Sequence, residues 1–508
     1  MTELLTPPDP ETDRPERPAP GDVRFTRRQL LGAGFGGAVA LAGTGVGVDR
    51  LLRRSGNGLP PNGTAQRFFS APDLRPTIVR YKSTPSASRG LMFIGPDRSK
   101  PVDAGGMIVD GSELVWFHPV PYRHWVTNLQ VRPWQGRPVL TWWEGRLDAG
   151  YGIGEAIIAD TSYRELHRVR AQNGRTMDLH EFQLTPDGTA LFTCTPQTVT
   201  VDLRHLGGPR RAHALESIIQ EVDVASGRLL MEWQSLRHVA LDESYRKEFA
   251  PFDYLHVNSI DVLEDGHLLV CARNTWAAYK IDRRTGEIIW RLGGKRSNFT
   301  MEHDAQFAWA HDARWVGDGR MTIFDDGFDG RTKSHAASRA LILEVDLARR
   351  RVSVGRSFES PTHLLTSSMG NVQLLPDGHV FVGFGNDPYS IEFSPDGRLL
   401  SNLEMPSGQH SYRSFRLPWR GLGEGRPAAA LRTVRDGRMR LYASWNGSTE
   451  VARWRVLAAR GGDTRPIAEA RRTGFETAVD LGRGSGPVVA VALDAAGREL
   501  ARSGLVRA

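Results

Sequence analysis

Short runs of alternating apolar and polar residues repeat along this chain from about residue 86 to residue 405, and two turn signatures punctuate them. The first is Asp-Gly, at Asp187-Gly188, Asp265-Gly266, Asp318-Gly319, Asp377-Gly378 and Asp396-Gly397. The pair favours a tight hairpin because both residues tolerate positive φ. The second follows an acidic strand end, as in Ile281–Trp290 (IDRRTGEIIW) and Val222–Leu230 (VDVASGRLL). Together they define a unit of roughly 45 to 75 residues built as strand, Asp-Gly turn, strand, short loop, strand, Thr-Gly-type turn, strand. Four strands at that spacing predict a propeller blade. Units start near Asn128, His180, His256, His311 and Gly370, and a further one is closed from 86 to 127. The expected fold is therefore all-β, a six-bladed β-propeller over 86–405. Residues 242–249 carry the one hint of a helical period, while 203–219 and 295–306 read as insertions rimming the channel mouth.

The repeat stops before residue 410. Residues 410–508 instead alternate over Met439–Trp445 and Pro487–Leu493, with Asn446-Gly447 turning the chain after the first. That pattern predicts a small C-terminal β-sandwich, immunoglobulin- or fibronectin-like.

The other end has a different character. Residues 1–22 are rich in Pro, Glu, Asp and Arg and poor in large apolar groups, a composition that cannot bury a core. Thr26-Arg27-Arg28-Gln29-Leu30-Leu31 then precedes a Gly/Ala-rich apolar run ending at Val48, the twin-arginine export pattern. Residues 1–55 are thus expected to be a tail plus signal or anchor, and 56–85 a linker. The protein is expected to work outside the cytoplasm, secreted or tethered to the membrane through residues 30–48.

Charge and cysteine usage narrow the function. The net charge is +7, with arginine far more frequent than lysine, but the basic residues are scattered. No basic stripe interleaved with aromatics suggests nucleic acid. Cys194 and Cys271, the only two cysteines, each end the strand after an Asp-Gly hairpin and are expected as buried free thiols. Without a CxxC there is no thiolate zinc site, and no Walker-type phosphate loop occurs.

Three histidines share a position in successive repeats. His180 lies eight residues before Gly188, His256 ten before Gly266 and His311 eight before Gly319. Residues at one position of a radial repeat occupy one layer around the axis, so these imidazoles are expected to converge. Arg273 ends the second strand after His256, and a buried arginine there requires an anion beside it, because an unpaired buried charge is costly. Trp276 and Trp309 are candidates to stack on an aromatic substrate.

The run from Asp178 to Gly327 resembles the bacterial arylsulfotransferases, the PAPS-independent aryl-sulfate sulfotransferase family, and more narrowly an actinobacterial arylsulfotransferase-like branch. The motifs carrying the likeness are Asp178–Phe182 (DLHEF), Leu255–Asp261 (LHVNSID), Ala272–Thr275 (ARNT), His311–Arg314 (HDAR) and Phe324–Gly327 (FDDG). The resemblance implies an active site in the propeller channel. There His311 would accept a sulfuryl group from a phenolic sulfate ester and hand it to another phenol. His180, His256 and Arg273 would bind and stabilise that group, with Asn258 at the substrate. No cofactor and no metal are implied, and the partners are small phenolic sulfates and phenols. Two other readings use the same residues: a non-catalytic propeller scaffold at the cell surface, and a metal- or quinone-dependent propeller enzyme. Arg273 opposes the last, since a cation beside a metal dication is repelled.

Overall fold

A computed structural model describes residues 65–97, 102–460, 463–484 and 486–507. The tail, the twin-arginine segment and the proposed tether at 30–48 lie outside the described residues. Within them the strands pair antiparallel, apart from the two-residue strand Thr300–Met301, which runs parallel beside Arg351–Val352, and helical structure is limited to short 3-10 turns. The hint at 242–249 resolves as one such turn, Leu241–Glu243. No helix among the described residues is long and apolar enough to cross a membrane.

Six four-stranded units follow one another along the described chain. The second runs His124–Trp134, Arg137–Asp148, Tyr151–Ala159 and Glu165–Val169; the third runs Met177–Leu184, Thr189–Val201, Ala212–Asp223 and Leu229–Gln234. A single bridge, Gly154 to Met177, joins these two into one sheet. The fourth is Val257–Val262, Leu268–Ala272, Ala277–Ile281 and Ile288–Gly293, and the fifth His311–Trp315, Arg320–Asp325, Arg339–Asp346 and Arg351–Glu359. The sixth is Asn371–Leu374, Val380–Gly383, Tyr389–Phe393 and Leu399–Glu404. The first unit is assembled from both ends of the repeat region: Leu91–Ile94, Gly105–Asp110 and Glu113–Pro119 take Phe415–Leu417 as their fourth strand.

Two expected boundaries move as a result. Phe415–Leu417, assigned to the C-terminal 410–508 segment, pairs with Leu91–Phe93. Arg80–Ser83, assigned to the 56–85 linker, adds a fifth strand to the sixth unit by pairing with Ser401–Glu404. The physical reason is the same in both cases: strands this short carry too little periodicity to declare their partners, which lie hundreds of residues away.

Each unit offers an apolar face to the next, and the core is divided accordingly. Trp116 and Ile108 of the first unit pack with Trp142 and Ile157 of the second. Trp143 meets Phe182 and Phe192 of the third, and Ile219 meets Ile260 and Tyr279 of the fourth. Leu269 and Leu292 meet Ile323 and Leu341 of the fifth, Phe324 and Phe358 meet Val380 and Ile391 of the sixth, and Phe381 and Leu403 return to Met92 and Phe117 of the first. First strands also touch in this order, and Phe415–Leu417 touches both His124–Trp134 and Val380–Gly383.

The Asp-Gly turns are hairpins of a slightly different kind from the one expected. Gly188, Gly266 and Gly378 each donate their N–H to the carbonyl three residues back, at 3.1, 2.8 and 2.9 Å. Glycine therefore takes the fourth turn position with positive φ, and among the turn aspartates only Asp318 shares that conformation. Cys194 and Cys271 are buried and unbridged, as expected.

Beyond residue 417 come a three-stranded sheet (Ala428–Thr433, Arg438–Ser444, Glu476–Arg483) and a four-stranded one (Asp463–Arg471, Arg453–Arg460, Val488–Leu493, Glu499–Arg502). Leu441, Trp454, Val456 and Val488 are fully buried between them. The segment is tied to the repeat units by Asn446, which bonds both backbone groups of Phe117 at 3.0 Å, and by Tyr163, whose hydroxyl donates to Gly447 O at 2.8 Å. Gly447 has φ +84 and lies flat against that ring, where a Cβ would stand 2.1 Å from Cε2.

Candidate active site

The three histidines sit where the first strands of three consecutive units begin. In each of these strands the pairing slips at that level. Val257 pairs with Ala272 but Ser259 with Cys271; His311 pairs with Phe324 but Arg314 with Thr322; Phe182 pairs with Phe192 but Met177 with Cys194. The slip adds one residue in the His256 and His311 strands and three in the His180 strand, and such an irregularity re-aims its neighbours. It is accompanied by left-handed backbone at His256 (φ +59) and Asp312 (φ +58), a conformation rare outside glycine and maintained only by surrounding structure.

Every one of the three imidazoles is held from behind by a carboxylate on its Nδ1. His180 Nδ1 bonds Asp178 Oδ2, His256 Nδ1 bonds Asp253 Oδ2 at 2.6 Å, and His311 Nδ1 bonds Asp326 Oδ2 at 2.7 Å. An ionised carboxylate accepts only, so an ionised partner fixes the proton on Nδ1 and leaves the lone pair on Nε2. His180 and His256 point their Nε2 atoms at each other, 3.2 Å apart. His311 Nε2 receives the Met369 N–H at 3.3 Å, which confirms that this nitrogen carries a lone pair.

Electrostatics agree with the geometry. Burial, followed by the charges of Arg273, His256 and His180, holds His311 well below the usual histidine range. Burial also lowers His256, against the pull of Asp253. Burial drives Asp326 well above the usual carboxylate range, with Arg273 opposing it. Of these side chains, His180 and His256 are in direct contact, and the charges of both, with that of Arg273, act on His311.

Arg273 is 8 % exposed, and its bonds go to neutral oxygens: Asn274 Oδ1 at 3.1 Å and Ser367 O at 2.9 Å. Among the described residues it forms no direct ion pair. Its guanidinium lies over Trp309, 5.2 Å from the ring centroid. Trp276 meets Trp309 edge-on at 5.2 Å and stacks on Tyr245 at 3.7 Å. Trp276 and Tyr245 line a cavity of about 310 Å³ together with Gly293, Gly294 and Phe307. A charged, buried guanidinium bound only to neutral acceptors is prepared for an incoming anion.

Asn258, expected at the substrate, stands between two units. It is fully buried and donates Nδ2 to Ala310 O at 2.8 Å, tying the fourth unit to the fifth. Asn128 reaches Leu179 O at 2.9 Å, and Asn371 reaches Ser414 O at 2.8 Å, in the same manner. Next along the chain to His180 and His311, Glu181 and Asp312 enter a buried charge network: Arg413 with Glu181 at 3.2 Å and Asp312 at 3.1 Å, and Arg314 with Asp312 at 2.7 Å. Against burial, Arg314, Arg413 and Arg132 hold Glu181 below the usual carboxylate range.

Sequence reasoning missed the carboxylates Asp178, Asp253 and Asp326, although two of them stood inside the quoted motifs. It also missed Tyr151, whose hydroxyl donates to Asp253 Oδ1 at 2.7 Å and lies 2.8 Å from His256 Nδ1. Tyr412, whose ring is 5.5 Å from that of His180, was hidden by the assignment of residue 412 to the C-terminal segment.

A family model described as Arylsulfotransferase (ASST) matches residues 130–404, just over half of the 508-residue chain. No curated protein matches. Among solved structures, the chain is similar to a protein of unknown function from Bacteroides caccae (13% identity over 64% of this chain and 98% of that one, TM-score 0.40). It is also similar to a protein from Lactobacillus plantarum (12%, 77% and 98%, TM-score 0.36) and to virginiamycin B lyase from Staphylococcus aureus (8%, 72% and 94%, TM-score 0.30).

Proposed function

The chain belongs to the arylsulfotransferase family, and from that premise we propose that it moves a sulfuryl group from a phenolic sulfate ester to another phenol by way of a sulfated His311, without a nucleotide donor. The observation that carries this reading is the set of three carboxylate-backed imidazoles around Arg273, a buried guanidinium without an ion-pair partner among the described residues.

Sulfuryl transfer, like phosphoryl transfer, develops charge on equatorial and bridging oxygens in a loose transition state, so catalysis is positioning and electrostatic stabilisation. His311 is neutral, with its lone pair on Nε2, and attacks sulfur as the S–O bond to the departing phenolate breaks. Asp326 then faces the positive charge that gathers on the sulfated ring. Arg273 offers its planar fork to two sulfuryl oxygens. The His180/His256 pair gives a proton to the departing phenolate oxygen and recovers one from the incoming phenol, whose oxygen displaces Nε2 from sulfur. Trp276 and Trp309 supply aromatic surface for a phenol ring.

The same reading takes the six units as blades of one propeller, roughly residues 86–417, supported by the cyclic succession of interface cores and by the strand contributed from Phe415–Leu417. The remainder to residue 508 is a sandwich-like appendage, and the chain is exported by its twin-arginine segment, which leaves it secreted or membrane-tethered.

The test is turnover of p-nitrophenyl sulfate with phenol as acceptor. Release of nitrophenol that His311→Ala abolishes, with a sulfated histidine trapped on His311 in the unsubstituted protein, is the expected result. Turnover unaffected by His311→Ala removes the nucleophile assignment.

A further inference from the structure

The contact between His180 and His256 fixes where the proton used in that scheme resides before substrate arrives. Both Nδ1 atoms already donate to carboxylates, Asp178 and Asp253. When both rings are neutral, each Nε2 therefore carries only a lone pair, and two lone pairs 3.2 Å apart repel. One additional proton converts that repulsion into an N–H···N hydrogen bond. A second proton would place two like charges in contact in a buried site.

We propose that His180 and His256 hold one shared proton between their Nε2 atoms, and that Tyr151 is the positioning residue that tunes this pair. The inference rests on the sulfuryl-transfer reading for its use in turnover, but the shared proton itself is a property of the resting protein. Tyr151 leaves the hairpin Asp148–Tyr151 at one end of the second unit and crosses to the loop before the fourth. There its hydroxyl donates to Asp253 Oδ1 at 2.7 Å while Asp253 Oδ2 receives His256 Nδ1 at 2.6 Å. Asp178 has a different set of donors: the Gly152 N–H at 2.5 Å, Thr193 Oγ1 at 3.1 Å and its own histidine. The two halves of the pair are thus backed unequally, and only the His256 half passes through a tyrosine hydroxyl. Tyr151 is buried, with its ring 5.5 Å from that of His180 and 4.9 Å from that of His256, so it also walls the pair from solvent. The charged and titratable groups facing the pair are Asp178, Asp253, Tyr151, Tyr412, Arg273 and His311.

In the first half-reaction the shared proton goes to the phenolate oxygen as the S–O bond breaks and the S–Nε2 bond to His311 forms. The pair is then left with two lone pairs. In the second, the acceptor phenol returns its proton to the pair as its oxygen bonds sulfur and the S–N bond breaks. Protons and charge balance over one turnover, and no other acid is needed.

Tyr151 has a predictable sign. Its hydrogen bond draws charge from Asp253, so removing the hydroxyl leaves Asp253 a stronger partner for protonated His256. The pair then keeps its proton to higher pH. The experiment has two arms on the full-length chain. The first needs no substrate: with histidines labelled by ¹⁵N, one protected proton should couple to nitrogens of both His180 and His256, and the two rings should titrate in a single joint step. His180→Asn and His256→Asn assign the signals. The second compares Tyr151→Phe and Asp253→Asn with the unsubstituted protein over pH. Tyr151→Phe should lower kcat about ten-fold with KM within about two-fold, and shift the alkaline limb upward, while Asp253→Asn should shift it downward. Independent titration of the two rings, or a Tyr151→Phe loss of rate with the limb unmoved, overturns the proposal. If no aryl sulfate turns over, the function assigned above fails, and the labelled-histidine arm still decides the shared proton.

Discussion

Replacing Arg273 separates a functional guanidinium from a structural one, because the two roles push activity and stability in different directions. The side chain is buried and forms no ion pair among the described residues; its bonds go to Asn274 Oδ1 and Ser367 O. In Arg273→Ala, two hydrogen bonds to a charged donor disappear, each worth about 1.5–3 kcal/mol. Against that stands relief from holding a cation out of water with no carboxylate in direct contact, only the longer-range charges of Asp326 and Asp253, an effective penalty of several kcal/mol. The two nearly cancel, so the urea midpoint should stay close to that of the unsubstituted protein. Catalysis has no such compensation. A preorganised donor lost from a developing oxyanion costs roughly 2.7–4 kcal/mol, or about 10²–10³ in kcat/KM. Lysine restores charge without the fork and should recover only part of the loss. There is a pH signature as well. After burial, Arg273 is the next largest influence lowering His311, so its removal lets that imidazole take a proton at higher pH. A protonated Nε2 cannot attack sulfur, and the acid limb of kcat/KM should therefore move upward. The assay is nitrophenol release over pH, paired with urea unfolding of each variant. Full activity with a midpoint that collapses would mark Arg273 as a packing residue and refute the reasoning.

Other expectations follow from the same contacts. Glu181→Gln strips one of two buried carboxylates from Arg413 and Arg314, leaving Asp312 to serve both, and should cost about 3 kcal/mol in urea unfolding. Asn258→Ala removes an inter-unit hydrogen bond and leaves Ala310 O without its side-chain donor, a loss of about 1–3 kcal/mol in stability; KM for the donor should change little, in contrast to a residue that touches substrate. The depressed His311 value also fixes a sign for stability. The unfolded chain binds this proton more readily than the folded one, so its contribution is complete above the unfolded value near 6.5 and falls away as pH drops below it towards the folded value. His311→Asn should flatten that part of the urea-midpoint profile between about pH 5 and 7.

How far the site could be read from the chain depended on what kind of order held each residue. The hairpin glycines recur because a turn needs positive φ at one place, and that local demand is visible without knowledge of any partner. Counting back from them singled out three histidines, two of which, His180 and His256, meet through their Nε2 atoms at 3.2 Å. The carboxylates behind the imidazoles obey no common offset: Asp178 precedes its histidine by two residues, Asp253 by three, and Asp326 follows by fifteen. A hydrogen bond asks only for proximity in space. Tyr151 was hidden for the same reason, since it reaches His256 from another unit 105 residues away. The closing strand Phe415–Leu417 failed to register because three residues have no measurable period, and with it went Tyr412 and Arg413.

The bulges explain why this layer can carry both chemistry and a buried ionic floor. In an uninterrupted strand, residues three apart project to opposite faces. His311 and Arg314 are three apart, yet His311 bonds Asp326 and lies under the influence of Arg273, while Arg314 bonds Glu181 and Asp312 in the network that also holds Arg413. The slip between His311–Phe324 and Arg314–Thr322 supplies the extra residue that brings both to the inner side. Asp312, at the slip, takes φ +58 and ion-pairs with both arginines. Its strained backbone is thus anchored by the same charges it organises. The same slip stands at Thr127–Gln130, where Asn128 has φ +55 and accepts Arg413 at 2.7 Å on Oδ1. A regular strand would turn His311 and Arg314 to opposite faces; the irregular one lets the same short strand carry an imidazole bonded to Asp326 and an arginine bonded to Glu181 and Asp312.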